Sequence, residues 1–366
     1  MQSARGGGEG GERREGWGVK GVGWVLAGCL VAGVGCGGRT PERGGATVVP
    51  PPLPAAWEHL VGEYVRDGVV LLLLERGDTL RILTDSAPEV AVGTGRGDTL
   101  LAVTDPAPWW VVVRDTASAV AGLRDASGVW TRREPGQPVF RIEPRRPVSA
   151  LRREARTAVP PNEAPDLLPP DLVDIQALDS TIRLDVRYAS ANNFLGEPVY
   201  ASARAYLQRP AAEALVRAHR ALAGAGYGLL IHDAYRPWHI SWVFWEATAD
   251  SLRQFVADPA QGSRHNRGAA VDLTLYDLTT GQPVSMPSGY DEFSPRAHPD
   301  YRGETSRQRW HRDLLRRAME AQGFRVYAYE WWHFDFGGWE RYPILNVPLE
   351  ELWDDGRTGG REDERT

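Results

Sequence analysis

Cysteine and lysine are the two residue types that this 366-residue chain nearly lacks. Its two cysteines, Cys29 and Cys36, both lie within the first 36 residues, so a folded part that begins beyond them has no disulfide to stabilise it. The same scarcity excludes a cysteine-ligated zinc site and a cysteine nucleophile from that part. Lysine occurs only at Lys20 and arginine supplies the remaining positive charge, which indicates a compositional bias of the genome and not a function.

A basic stripe and a membrane-spanning run are also missing. No clustering of arginine suggests contact with nucleic acid, and the one apolar stretch near the start is shorter than the ~20 residues that a helix needs to span a bilayer. The formal charge is −6 at pH 7 and hydrophobic residues make up 42% of the chain, values that fit a soluble globular protein. The length favours two or three folded units over one.

Residues 1–36 have the layout of an export signal, a basic flank followed by a short apolar run. Leu26–Cys29 (LAGC) resembles a bacterial lipobox, in which the cysteine becomes the lipidated first residue, and Cys36 is the alternative. Residues 37–56 are rich in glycine and proline and are typical of a tether. These features predict an exported lipoprotein of the periplasm or cell envelope, with membrane attachment through an N-terminal lipid.

Between residues 57 and 156, short apolar runs alternate with turn residues. The sequence RGDTL occurs twice, at Arg76–Leu80 and Arg96–Leu100, and places Gly-Asp between two apolar runs, which is a hairpin signal. The segment predicts a small all-β domain, a barrel or a sandwich, with no catalytic motif. Wall binding, docking and plain spacing are all open as its role, and its partner is unknown.

A second proline-rich segment, residues 157–170, predicts the linker to a larger domain at residues 171–353, which a charged, disordered tail follows at residues 354–366. Helical spacing of apolar residues alternates in this domain with strand-like runs. The mixture predicts an α+β fold whose antiparallel sheet holds the functional site. The predicted helices are Ala211–Ala225, Trp238–Phe255 and Arg307–Gln322.

Two stretches of the larger domain contain the residue types of a hydrolytic zinc centre. They are SRHNRGAAVDLTL from Ser263 and EWWH from Glu330. Catalytic zinc usually takes three protein ligands and keeps a fourth position for water. The candidate ligands are His265, Asp272 and His333, and Glu330 is left as the proton carrier.

The spacing of the first pair requires a bend. His265 and Asp272 are seven residues apart, so on an unbroken strand they would face opposite sides of the sheet. Gly268 lies between them and permits a backbone detour. The following stretch, Ala269–Leu275, predicts a mostly buried strand. A buried, unpaired Asp272 would be costly without a neighbouring cation.

Glu330 and His333 lie three residues apart in an aromatic run that favours a strand, so a local irregularity must turn both toward one side. The pattern is not the HExxH helix of other zinc proteases. Two neutral histidines and one aspartate would leave the zinc site with a charge of about +1, enough to activate water, and Glu330 would accept the water proton. The alternative is that His265 is a polar loop residue and EWWH an ordinary packed strand.

Five motifs in order resemble the VanX-type D-alanyl-D-alanine dipeptidases, which are zinc peptidases related to the hedgehog and lysostaphin-like group. The motifs are DVRYASANNF (Asp185–Phe194), GYGLLIHDAYRP (Gly226–Pro237), SRHNRGAAVDLTL (Ser263–Leu275), MPSGYDEF (Met286–Phe293) and EWWHFDF (Glu330–Phe336). The resemblance implies one Zn²⁺ held by the two histidines and the aspartate named above, with the glutamate as catalytic base.

The resemblance also implies roles for four further residues. Arg236 would stabilise the oxyanion of the tetrahedral intermediate, which suits a rigid guanidinium. Asp291 would receive the free ammonium of the substrate. Ser263 and Tyr188 match positions that line the dipeptide pocket.

The activity implied is hydrolysis of D-Ala-D-Ala to two D-alanines, in the turnover of cell-wall peptides. A D,D-carboxypeptidase acting on longer stem peptides is the near alternative, and a non-catalytic, zinc-dependent wall-binding lipoprotein is the remote one.

Two departures from the family bear on selectivity. The segment between DAYRP and SRHNRG is shorter here, and Arg264 adds a positive charge beside His265.

Overall fold

The protein is described by a computed structural model that covers residues 49–95, 98–103, 109–133 and 140–354, all within one compact unit. The proposed export signal with Cys29 and Cys36, the second Arg-Gly-Asp turn and nearly all of the predicted tail lie outside the described residues. Within the described ranges no helix is long and apolar enough to cross a membrane.

The first part of the described chain is a closed barrel of eight antiparallel strands. Each strand pairs with the next along the chain, and the first closes the barrel by pairing with the last, Tyr64 opposite Arg132. This confirms the predicted all-β domain and gives it the barrel form. The strands are β1 (Gly62–Arg66), β2 (Val69–Glu75), β3 (Leu80–Thr84), β4 (Ala87–Thr94), β5 (Thr99–Ala102), β6 (Trp109–Arg114), β7 (Val120–Asp125) and β8 (Gly128–Arg132).

The first RGDTL motif forms the hairpin that its sequence predicts. Gly77 and Asp78 both have positive φ angles, 56° and 60°, as the two central residues of a type I′ turn require. Arg76 and Thr79 exchange backbone hydrogen bonds on either side of the turn. The backbone twist of this turn matches that of the strands β2 and β3 that it joins.

The second part combines helices with a five-stranded sheet of order β10-β12-β13-β15-β14 and a separate β11-β9 pair, among the residues described. Its helices are α1 (Val148–Ala155), α2 (Ile175–Leu178), α3 (Arg209–Ala223), α4 (Trp238–Ala247), α5 (Ser306–Glu320) and α6 (Glu351–Asp354). Its strands are β9 (Leu172–Asp174), β10 (Arg183–Leu184), β11 (Tyr206–Gln208), β12 (Tyr227–Asp233), β13 (Ala270–Asp277), β14 (Phe324–Tyr327) and β15 (Glu330–Phe336).

The sheet is mixed, whereas the sequence predicts an antiparallel one. Strands β12, β13, β15 and β14 pair antiparallel, but β10 runs parallel to β12. A parallel pair needs a long crossover, and the chain between these two strands includes the helix α3. The predicted helix at Trp238–Phe255 is also shorter than expected, since α4 ends at Ala247 and a 3₁₀ turn covers Asp250–Phe255.

Residues that precede the proline-rich segment in the sequence already belong to the hydrophobic core of the second part. Val148, Leu151 and Ala155 of α1 are fully buried in that core, and α1 packs against α4. Residues 157–170, predicted as the linker, therefore follow an element that already belongs to the second core. They also contact the second part directly, since Glu163 forms a salt bridge with Arg267 at 2.7 Å.

Gly268 makes the predicted detour between His265 and strand β13. It has a φ of +63° and ends a 3₁₀ turn at His265–Arg267. A Cβ atom at this position would lie 2.4 Å from Leu172 Cδ2 and 3.4 Å from the backbone nitrogen of Gln208. Both the left-handed backbone and the close contact therefore favour glycine here.

The substitution Gly268→Ala should lower the free energy of unfolding by about 1–3 kcal/mol, because the left-handed strain adds to the steric contact. Urea denaturation followed by circular dichroism measures the loss. Gly226→Ala is the matched control, since Gly226 also has a positive φ but would have no atom within 4 Å of its Cβ. Equal stability losses in the two variants would show that the contacts around Gly268 are unimportant.

Candidate metal centre and substrate cavity

Three chain segments bring two histidines and an aspartate together. Asp272 on β13 lies opposite His333 on β15, and the 3₁₀ turn before β13 presents His265. One ligand atom from each of the three residues lies within 4.8 Å of the other two, and all three side chains are buried. The three candidate ligands predicted from the sequence therefore share one site.

The imidazole of His265 is oriented by the backbone. Its Nδ1 lies 2.6 Å from the carbonyl oxygen of Ala234, so Nδ1 carries the hydrogen and donates it outward. The other ring nitrogen, Nε2, then has a free lone pair. That atom faces the cluster, 3.3 Å from Asp272 Oδ1 and 3.1 Å from His333 Nδ1.

The imidazole of His333 has the same arrangement with its nitrogens exchanged. Nε2 donates to Asp335 Oδ1 at 2.9 Å, and Nδ1 lies 3.0 Å from Asp272 Oδ1. Burial disfavours a charged imidazole, but hydrogen bonds to Asp272 and Asp335 outweigh it and raise the pKa of His333 to about 10. A positive charge is therefore strongly favoured between these groups.

This donor set fits a divalent cation. His265 Nε2 and His333 Nδ1 face each other, and the outer nitrogen of each ring already donates its hydrogen to another group. The two inner nitrogens therefore need a proton or a metal cation between them. A ligating histidine typically donates its other N–H to a carboxylate or a backbone carbonyl, and Asp335 and Ala234 supply one of each. Two imidazoles and one carboxylate are a common ligand set for catalytic zinc, although they also accommodate other divalent ions.

Glu330 lies next to this cluster, with its Oε2 atom 3.7 Å from His333 Nδ1. The register between β14 and β15 shifts between Val326 and Tyr327, so that Tyr327 pairs with Glu330. This is the irregularity that the three-residue spacing predicts. Loss of hydration raises the pKa of the Glu330 carboxyl to about 7, although His333 opposes the shift. Such a carboxyl can exchange a proton near neutral pH.

Arg236 is held in place by a buried carboxylate. Its Nε and Nη2 atoms lie 2.9 and 2.8 Å from Asp233 Oδ2, and Tyr200 donates a hydrogen bond to the other oxygen of Asp233. The guanidinium lies 4.8 Å from the centre of the Phe244 ring and 3.9 Å from Asp272 Oδ2. The cation is therefore rigid and adjacent to the cluster.

A cavity of about 610 Å³ opens over the cluster, and it is lined by every described residue that the sequence assigns to the site. Its wall includes aromatic side chains, and Arg264 lies at the same opening. The predicted residues in the wall are Tyr188, Arg236, Ser263, His265, Asp272, Asp291, Glu330 and His333.

Asp291 has an unusual backbone for a non-glycine residue, with a φ of +57°. Its side chain is buried and accepts a hydrogen bond from the hydroxyl of Tyr188 at 2.9 Å. Burial and the nearby charge of Asp272 raise the pKa of the Asp291 carboxyl well above its ordinary value. A cation in the cavity would stabilise its charged form.

Ser263 forms its hydrogen bonds with residues of its own turn. Its hydroxyl accepts a hydrogen bond from the backbone nitrogen of His265 at 3.2 Å, and its own nitrogen donates to Asn266. Ser263 therefore shapes the turn that presents His265, in addition to lining the cavity.

Three supporting residues were not predicted from the sequence. Asp335 orients His333, Asp233 holds Arg236, and Tyr290 donates a hydrogen bond to Asp272 Oδ2 at 2.9 Å. Asp335 could have been found, because it lies two residues beyond His333 and strand residues two apart share a face. Asp233 lies three residues before Arg236 in the same motif and could also have been found, whereas the hydrogen bond of Tyr290 with Asp272 joins a loop to a strand and depends on how the chain folds.

The substitution Asp335→Asn should weaken binding of a divalent metal about 10- to 100-fold, because it removes the carboxylate that orients His333. Competition with a chelator of known affinity measures the change. The control is Asp250→Asn, which alters an exposed aspartate that pairs with Arg145 far along the chain. Unchanged metal affinity in the Asp335 variant would contradict this supporting role.

The chain is similar to known proteins over its second part. A family model described as D-ala-D-ala dipeptidase matches residues 170–346. Three similar curated proteins are each named D-alanyl-D-alanine dipeptidase. The one from Escherichia coli is 35% identical over 175 residues, 48% of this chain and 89% of the relative. The one from Enterococcus faecalis is 37% identical and aligns over 42% of this chain and 85% of its own length. The one from Streptomyces coelicolor is 36% identical and aligns over 45% of this chain and 90% of its own length. This chain therefore belongs to the D-alanyl-D-alanine dipeptidase family of metallopeptidases.

Proposed function

We propose that this enzyme hydrolyses the dipeptide D-Ala-D-Ala to two D-alanines, with one Zn²⁺ held by His265, Asp272 and His333. The observation that supports this most directly is the convergence of two lone-pair nitrogens and a carboxylate beside Glu330 in an open cavity. The names of the similar proteins support the choice of substrate.

In this proposal Glu330 is the general base. A divalent cation in the site would supply a Lewis acid that polarises the scissile carbonyl and lowers the pKa of water. The Glu330 carboxylate lies 3.7 Å from a ligand atom of His333, so a water next to the ligands is within its reach. Glu330 would accept a proton from that water and deliver it to the leaving amine.

Arg236 would stabilise the negative charge that develops on the carbonyl oxygen. Its salt bridge with Asp233 fixes the guanidinium before substrate binds, so little reorganisation is needed during the reaction. The opposite end of the dipeptide carries an ammonium group, and Asp291 is the buried carboxylate proposed to bind it. Tyr188 orients Asp291 through its hydroxyl.

A D,D-carboxypeptidase that acts on longer stem peptides is the second candidate. The volume of the cavity supports it, because the cavity has room for more than a dipeptide. Cavities of 300–1,000 Å³ hold drug-sized ligands, and a dipeptide is smaller than such a ligand. Tyr327 and Tyr329 extend the wall beyond Glu330. The two candidates differ in whether Asp291 meets an ammonium group or the neutral backbone of a longer peptide.

Turnover of cell-wall peptides is the proposed physiological setting. An exported enzyme would encounter released dipeptide and peptidoglycan fragments, which fits recycling better than depletion of a cytoplasmic precursor. Export and lipid attachment at Cys29 or Cys36 stay predictions from the sequence.

Replacing the base by Glu330→Gln should reduce kcat for D-Ala-D-Ala about 10³-fold, because the amide cannot accept the water proton. Release of D-alanine measures the rate, and metal analysis verifies that the ion is retained. Glu340→Gln, at an exposed glutamate on the same part of the chain, is the matched control. Near-normal activity of the Glu330 variant with bound metal would exclude Glu330 as the base.

The substitution Asp291→Asn should raise KM for D-Ala-D-Ala at least tenfold, because the neutral amide binds ammonium weakly. If the enzyme were instead a D,D-carboxypeptidase, the substitution would change KM for a pentapeptide ending in D-Ala-D-Ala very little, because no free ammonium would meet Asp291. Wild-type enzyme tested on D-Ala-D-Ala, L-Ala-L-Ala and that pentapeptide should release alanine from the first alone. Cleavage of the pentapeptide alone would assign a D,D-carboxypeptidase.

A further inference from the structure

Residues 286–305, between β13 and α5, carry both Tyr290 and Asp291 and are termed the substrate loop. The only regular element described in this loop is a 3₁₀ turn at Pro295–Ala297. Backbone pairing therefore does little to set its conformation, and side-chain contacts must do so. Several of these contacts come from the barrel.

The first barrel contact involves Glu63 on β1. The hydroxyl of Tyr301, in the substrate loop, donates to Glu63 Oε1 at 2.9 Å. The second oxygen of Glu63 pairs with Arg133 at 2.7 Å, and only 3% of Glu63 is exposed. Tyr301 thus binds a carboxylate that is itself fixed within the barrel.

The second barrel contact lies where the substrate loop joins α5. Glu75, the last residue of β2, accepts hydrogen bonds from the backbone nitrogen of Ser306 at 2.8 Å and from its hydroxyl at 3.1 Å. The backbone nitrogen of Glu75 donates to the carbonyl oxygen of Glu304 at 3.3 Å. The end of β2 is therefore joined to the end of the loop.

Within the loop, Arg296 links the end near the barrel to the end near the cavity. One side of its guanidinium pairs with Glu304 at 2.8 Å, and the other side pairs with Glu292 at 3.1 Å. Arg296 also donates to the carbonyl oxygen of Pro287 at 3.1 Å. Because Glu292 directly follows Asp291, this buried network extends to the backbone that presents Asp291.

We propose that the barrel positions the substrate loop, with Tyr301 and Arg296 as positioning residues that act through Asp291. Contacts run from Glu75 through Glu304 and Arg296 to Glu292, the residue beside Asp291. The contact with Glu63 holds the same loop at Tyr301, three residues before Glu304. Ion pairs and hydrogen bonds between buried groups are stronger than exposed ones, so loosening the barrel end shifts the ammonium site. The inference rests on the proposed role of Asp291, and it gives the barrel, which lies outside the family match, a role in substrate binding.

The test is Tyr301→Phe in the full-length, metal-loaded enzyme, which removes only the hydroxyl that reaches Glu63. We expect KM for D-Ala-D-Ala to rise about fivefold with kcat within about twofold, because ground-state positioning changes and the metal cluster does not. Arg296→Gln should raise KM further, with partial recovery in Arg296→Lys. The matched control is Tyr64→Phe, which removes a buried hydroxyl that bonds Leu60 inside the barrel.

Amide hydrogen exchange of residues 286–305 provides a readout that does not depend on activity. Exchange there should be faster in Tyr301→Phe than in wild type and unchanged in Tyr64→Phe. If KM and exchange in the Tyr301 variant match those of the Tyr64 control, the barrel does not position the loop. If the wild-type enzyme cleaves no D-Ala-D-Ala, the proposed function fails, whereas the exchange data still decide the proposal about the barrel.

Discussion

The structure of the site depends on one constraint: two imidazole lone pairs and a carboxylate must face a common point inside the protein. Burying such groups is costly unless their charges are compensated and their hydrogen bonds are made. The carbonyl of Ala234 and the carboxylate of Asp335 fix the two rings from outside, and the hydroxyl of Tyr290 supports Asp272. The antiparallel pairing of β13 with β15 then places Asp272 and His333 directly opposite each other.

Some of the charged side chains around the metal-binding cluster have an ion-pair partner, and others do not. Asp233 and Arg236 form a tight buried salt bridge that keeps the cation rigid. Asp291 and Glu330, in contrast, have raised pKa values because burial weakens their hydration and Asp272 adds negative charge. Carboxyls with such shifts concentrate at functional sites. Both carboxyls stand in the cavity wall, where a neighbouring positive charge would favour their ionised forms.

The two parts of the protein are joined by more than a covalent link. Polar side chains of the barrel, chiefly Glu63 and Glu75, are buried against the segment that leads from the cavity to α5. The sequence leaves wall binding, docking or spacing open as the role of the barrel. The contacts favour a fourth view, in which the barrel supports the loop that presents Asp291.

Local features of the sequence determined much of the site. The odd spacing around Gly268 predicts the detour that orients His265 and Asp272, and Gly77 predicts its hairpin, because backbone conformation there depends on adjacent residues. The tertiary structure alone decided the pairing of Tyr301 with Glu63, 238 positions apart, the parallel placement of β10 and the burial of α1 in the second core. The physical reason is that spacing along a chain constrains near neighbours, whereas contacts between distant segments depend on how entire elements pack.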